Sequence, residues 1–175
     1  HWMPIAEHHD RSKYELYLYS QRTRTGERSA EINKKIDSLC DKRRDVSLLS
    51  NKELCDQIVE DKINILIDLS GHTSGNRLAA LSFKPAPVQA TFIGYPATTG
   101  LDAIDYFITQ PMHVPLEASN VFSEKLAYIP GCTSYNVRED ARSVLSKEIH
   151  YKENGYVTFG SFNRPNKVSV ECIQA

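Results

Sequence analysis

The sequence predicts an α/β fold in which parallel strands alternate with helices packed on their faces. Three observations carry that prediction. Residues 63–69 (INILIDL) are the densest β-branched run, and their nearly continuous apolarity suits a strand covered on both faces. Two segments of helical spacing precede that run, and shorter strand-like runs follow it. Strands alternating with helices favour a parallel sheet, because parallel neighbours need a crossover between them.

The elements follow in order. Residues 14–20 (YELYLYS) alternate and are rich in tyrosine, which predicts a strand with Tyr14, Tyr17 and Tyr19 serving packing. Across 28–39, Ile32, Ile36 and Leu39 recur at helical spacing. The apolar run 46–49 reads as a second strand. Ser50-Asn51-Lys52-Glu53 has the form of a capping box, and Leu54, Ile58 and Val59 continue it as an amphipathic helix. After the central strand, 70–76 is a polar loop, and 77–83 is a short helix stopped by Pro85 and Pro87. Residues 88–93, 104–108 and 126–129 are further strands. The stretch 131–154 is polar and weakly periodic and reads as a linker. Residues 156–162 (YVTFGSF) predict a new strand, followed by the first turn of a helix. The expected organisation is therefore a domain over 1–130 that is incomplete at its start, a linker over 131–154, and the opening of a second domain over 155–175.

Composition narrows the function classes. The chain has 175 residues, 41% hydrophobic and 25% charged, which is not the profile of a disordered segment. A net charge of -1 gives no global positive field for nucleic acid or anionic lipid. No apolar run approaches the roughly 20 residues of a membrane helix. Cys40, Cys55, Cys132 and Cys172 include no C-x-x-C pair and read as free thiols of a reducing compartment, so a cytoplasmic protein is expected. His8-His9-Asp10 reads as surface, since three adjacent residues do not converge on one metal. Arg22-Thr23-Arg24 and Lys42-Arg43-Arg44 read as solvated loops.

Ligands of open α/β sheets gather beyond the carboxyl ends of the strands, and three loops qualify. Ser70-Gly71-His72-Thr73-Ser74-Gly75-Asn76-Arg77 offers glycines for close backbone approach, with His72, Thr73 and Arg77 as candidate polar groups. Ile93-Gly94-Tyr95-Pro96 with Thr98-Thr99-Gly100 offers a glycine, a ring and hydroxyls suited to polyols. Gly160-Ser161-Phe162-Asn163-Arg164-Pro165-Asn166-Lys167 joins a strand to a helix start, where a lysine beside helical amides forms a phosphate site. The chain has no D-x-D pair of the kind many sugar-nucleotide enzymes use to hold a metal.

Together these words resemble a known family. The segments from Ile65 through Ser70-Gly71-His72-Thr73, Asn76-Arg77, Pro85-Ala86-Pro87-Val88-Gln89, Gly94-Tyr95-Pro96-Ala97-Thr98-Thr99-Gly100 and Asp105-Tyr106 occur in this order. Glu124-Lys125-Leu126 and Phe162-Asn163 with Lys167 follow, and His9-Asp10-Arg11 precedes. This resembles the catalytic region of the O-GlcNAc transferase and SPINDLY family, glycosyltransferase family 41. The resemblance implies a GT-B architecture of two Rossmann-like domains, with tetratricopeptide repeats upstream. It implies metal-independent, inverting transfer of N-acetylglucosamine from UDP-GlcNAc to Ser or Thr of intracellular proteins, with no cofactor beyond the nucleotide sugar. A SPINDLY-like O-fucosyltransferase using GDP-fucose and a non-catalytic scaffold are the alternatives.

The resemblance also assigns residues. Lys167 matches a lysine that contacts the donor diphosphate. Asn163 and Arg164 fall among nucleotide-contacting positions, although Gln or Asn is more familiar where Arg164 stands. Ile93 and Gly94 match backbone positions lining the sugar and acceptor side, with Tyr95 and Pro96 shaping that loop. His72 stands where some relatives carry Tyr. The chain by itself, with half the cleft, is expected to be inactive.

Overall fold

The computed structural model describes residues 2–21, 27–130, 150–160 and 168–174. The chain divides into two compact units, His1–Asn136 and Val137–Ala175.

In the first unit the elements run α1 (Met3–His8), β1 (Tyr17–Ser20), α2 (Glu27–Leu39), β2 (Lys42–Asp45), α3 (Asn51–Glu60), β3 (Ile65–Asp68), α4 (Leu78–Leu81), β4 (Val88–Phe92), β5 (Tyr106–Thr109), a 3-10 turn (Leu116–Val121) and β6 (Lys125–Tyr128). All strand pairs are parallel. β1 pairs with β2, and β3-β4-β5-β6 form a second sheet in chain order. Parallel strands with helical crossovers are the Rossmann-like α/β arrangement the sequence predicts.

The capping box of α3 forms as expected. Ser50 Oγ accepts from Glu53 N–H, and the Glu53 carboxylate accepts from Ser50 N–H at 2.8 Å. Leu54 and Ile58 on its inner face join Val46, Ala80, Leu81, Ala86 and Ile104 in the core. Strand β4 is the best covered, and Gln89, fully buried, donates its amide to the carbonyls of Leu81 and Ala103. These two carbonyls satisfy the donors of its buried amide nitrogen.

Four expectations are corrected. The second strand is not 46–49 but the charged segment Lys42–Asp45. Asp45 Oδ1 accepts from Ser47 N–H at 3.0 Å and Leu49 N–H reaches Val46 O, so the apolar run is a turn that drops Val46 into the core. For the same reason Lys42-Arg43-Arg44 is not a solvated loop. The first strand begins only at Tyr17, because Lys13 and Tyr14 N–H close a turn on Asp10 O. Finally, β3 is not covered on both faces. It is an edge of its sheet, Leu66 packs on the core, and Ile65 and Ile67 are 57% and 46% exposed.

The charges of β2 have a destination. Asp61, the C-cap of α3, has a side chain only 2% exposed and accepts from Tyr19 Oη at 2.8 Å, Arg44 Nη2 at 2.5 Å, Arg44 Nε at 3.1 Å and Lys42 Nζ at 3.2 Å. Hydrogen bonding from Arg44, helped by Tyr19 and Lys42 and working against burial, holds the Asp61 carboxyl far below the usual carboxylate range. Burial and the Asp61 charge push the Tyr19 phenol well up. One carboxylate thus fastens both strands of the small sheet to the end of α3.

The second unit contains α5 (His150–Asn154), inside the stretch expected to be a linker, and α6 (Val170–Gln174), where a helix start is expected. Of the strand expected over 156–162, residues 156–160 carry no ladder, and 161–162 lie outside the described residues.

Candidate functional site at the carboxyl ends of β3 and β4

Asp68 ends β3 and organises the loop that follows. Its Oδ1 accepts from Ser70 N–H at 3.1 Å, and its Oδ2 accepts from Gly71 N–H at 2.7 Å and Thr91 Oγ1 at 3.0 Å. The carboxylate therefore turns the chain sharply while tying it to the neighbouring strand. Thr73 Oγ1 donates to Ser70 O at 2.7 Å and tightens the same turn.

The loop after β4 is pressed onto this turn. A Cβ on Gly94 would lie 2.2 Å from the Leu69 carbonyl oxygen, and one on Gly71 would lie 2.4 Å from Tyr95 Cβ. Gly71 also sits at φ +51°, so glycine is required there twice over. Between strand and loop, Ile93 adopts φ +66°, a left-handed conformation that β-branched residues strongly disfavour. Gly94 N–H closes on Phe92 O at 2.8 Å around it. Such backbone costs of order 1–3 kcal/mol and gathers where function fixes the chain.

Side chains complete the junction. His72 Nε2 lies 3.0 Å from Thr99 O, and its ring meets Tyr95 edge-on at 5.4 Å between centroids. A carbonyl only accepts, so Nε2 carries a proton in this contact. Thr98 and Thr99 do not offer their hydroxyls to a polyol. Both donate to Glu124, a residue only 4% exposed: Thr98 Oγ1 at 2.7 Å, Thr99 N–H at 2.7 Å and Thr99 Oγ1 in a very short contact. Burial opposes the charge on Glu124, yet the hydrogen bonds from Thr99 and Thr98 hold its carboxyl below the usual carboxylate range.

The structure thus gathers Gly71, His72, Ile93, Gly94 and Tyr95 at the ends of two adjacent parallel strands, with Pro96 exposed beside them. Arg77 is turned elsewhere: its Nη2 donates to Leu49 O at 2.7 Å and Ser50 O at 3.0 Å, bracing the loop against the start of α3. Asn163, Arg164 and Lys167 lie outside the described residues. His9 Nδ1 contacts Ala6 O at 2.7 Å and Asp10 accepts from Ser12, both local contacts. Glu124 and Asp68 are the residues sequence reasoning missed as organisers of the site. Only the Glu124-Lys125-Leu126 word pointed toward the former.

Comparison with known proteins is consistent with this geometry. The family model described as Glycosyl transferase family 41 matches residues 1–157. A protein of Arabidopsis thaliana named probable UDP-N-acetylglucosamine--peptide N-acetylglucosaminyltransferase SPINDLY is 35% identical over 168 residues, which is 95% of this chain and 18% of that protein. A UDP-N-acetylglucosamine--peptide N-acetylglucosaminyltransferase of Caenorhabditis elegans is 36% identical over 123 residues, 70% of this chain and 10% of that protein. A solved mutant O-GlcNAc transferase of Thermobaculum terrenum superposes with a TM-score of 0.66 at 36% identity, over 72% of this chain and 24% of its own. The chain spans less than a fifth of the length of these curated relatives. With matching words, matching fold and a family match over nine-tenths of its length, the chain belongs to glycosyltransferase family 41.

Proposed function

We propose that this chain forms part of a protein O-glycosyltransferase that transfers N-acetylglucosamine from UDP-GlcNAc to Ser or Thr hydroxyls. The observation that carries the reading is the junction of the two loops beyond β3 and β4. Gly71 and Gly94 let the backbones approach within contact, and the strained Ile93 fixes the amides of the second loop. Polar backbone held this rigidly, at the carboxyl edge of a parallel sheet, suits recognition of a sugar. The names of the relatives agree with the donor.

In this reading the acceptor oxygen attacks the anomeric carbon and inverts it. The hydroxyl proton passes to a base, and the bond to the diphosphate breaks with its electron pair leaving on UDP. Lys167 neutralises the departing diphosphate, which removes the need for a metal. Asn163 and Arg164 contact the nucleotide. The whole protein is a cytoplasmic GT-B enzyme with tetratricopeptide repeats upstream of this chain.

A donor panel on the full-length protein carrying this chain tests the proposal. Transfer to protein from UDP-GlcNAc, with little from UDP-glucose or GDP-fucose, is expected. Transfer from GDP-fucose alone would make the enzyme an O-fucosyltransferase. Absence of transfer from all three donors would leave a scaffold and overturn the reading.

A further inference from the structure

We infer that Glu124 is a positioning residue for the site, holding His72 and Tyr95 in place through the Thr98–Thr99 bend. This rests on the transferase reading above. Glu124 precedes β6 and touches neither β3 nor β4 in sequence, yet its carboxylate takes the backbone N–H of Thr99 and both threonine hydroxyls. The carbonyl of that same Thr99 faces His72 Nε2, and the His72 ring stands edge-on to Tyr95, whose Cβ abuts Gly71. A continuous path of hydrogen bonds and ring contact therefore runs from a buried carboxylate to the candidate sugar-facing loops.

The chemistry of the pocket demands a carboxylate in particular. Thr98 Oγ1 already accepts from Gly100 N–H at 3.1 Å and Ser123 N–H at 3.2 Å, so both lone pairs are used and it has none to offer a donor at residue 124; its proton has the carboxylate at 2.7 Å and Ser123 Oγ at 3.1 Å as acceptors. Thr99 presents a backbone N–H and a hydroxyl to the other carboxylate oxygen. A glutamine fits neither way round. Its NH₂ would face the already filled Thr98 oxygen in one orientation and the Thr99 N–H in the other, without an acceptor there each time. Glu124→Gln preserves shape and reverses one contact, which makes it a sharp probe of the bend.

Two measurements test the inference. In the full-length protein with ¹⁵N-labelled histidine, at a pH above the usual imidazole range, His72 assigned by its loss in His72→Gln is expected as the Nε2–H tautomer, and Glu124→Gln is expected to shift it toward a mixture of tautomers. A wild-type Nδ1–H tautomer, or one unmoved by Glu124→Gln, overturns the inference. In the full-length protein, Glu124→Gln is expected to lower kcat/KM for transfer about tenfold in the wild-type background and less than about twofold in His72→Ala, because coupled residues are non-additive. Equal losses in both backgrounds mark a purely structural role and overturn it. If the wild-type protein transfers no sugar at all, the transferase reading fails, while the tautomer measurement still decides whether Glu124 orients His72.

Discussion

Gly94 abuts Leu69 so closely that a methyl group in place of its hydrogen would lie 2.2 Å from the Leu69 carbonyl oxygen and 2.5 Å from the carbonyl carbon. Both obstacles are backbone, so no side-chain rotation relieves them. The loop beyond β4 keeps its position only while residue 94 is glycine.

Gly94→Ala in the full-length protein is therefore expected to push the two loops apart and to cost about 1–3 kcal/mol of stability, the usual range for overpacking. Displacement of the loop by an ångström is expected to lower kcat/KM by on the order of 10²-fold. Steady-state kinetics beside urea unfolding check both. A fully active, fully stable variant would show that the close approach has no consequence.

Lys167→Ala is expected to reduce kcat by on the order of 10²-fold or more at saturating donor, the loss typical of removing one group that stabilises developing charge. Unchanged kcat would remove Lys167 from the mechanism.

Asp61→Asn is expected to destabilise the first unit by about 2–3 kcal/mol at neutral pH, since it leaves Arg44, Lys42 and Tyr19 without their charged acceptor. The pH dependence has a definite sign. A carboxyl depressed in the folded state contributes stability that is complete above its unfolded pKa, near 4, and is lost as pH falls toward its folded value. Urea midpoints of the wild type are expected to fall below pH 4, and those of the variant to fall less. Parallel curves would contradict the assignment.

Ser50→Ala removes the oxygen that accepts from Glu53 N–H and is expected to cost about 1 kcal/mol, measured by thermal unfolding. The loss should be nearly independent of the changes at Asp61, which sits at the other end of α3.

These residues also mark where the sequence was legible. The capping box and the apolar face of α3 were readable because they are local, with Ser50, Glu53, Leu54 and Ile58 at fixed spacings. Strand β2 was not, because its four charged residues hide a partner, Asp61, at the far end of the next helix. The alternation within β3 was masked by residues apolar on both faces, and only the fold reveals that Ile65 and Ile67 lie on the uncovered one. At the site, the glycines and His72 stood out as words. Their bracing by Asp68 and Glu124 depends on contacts up to 27 residues apart that no spacing announces.

A crystal structure of the full-length protein with UDP-GlcNAc bound decides whether the loops beyond β3 and β4 hold the sugar. The sugar is expected within hydrogen-bonding distance of the backbone of residues 93–95, beside His72. A sugar held away from both the β3 and β4 loops would contradict it.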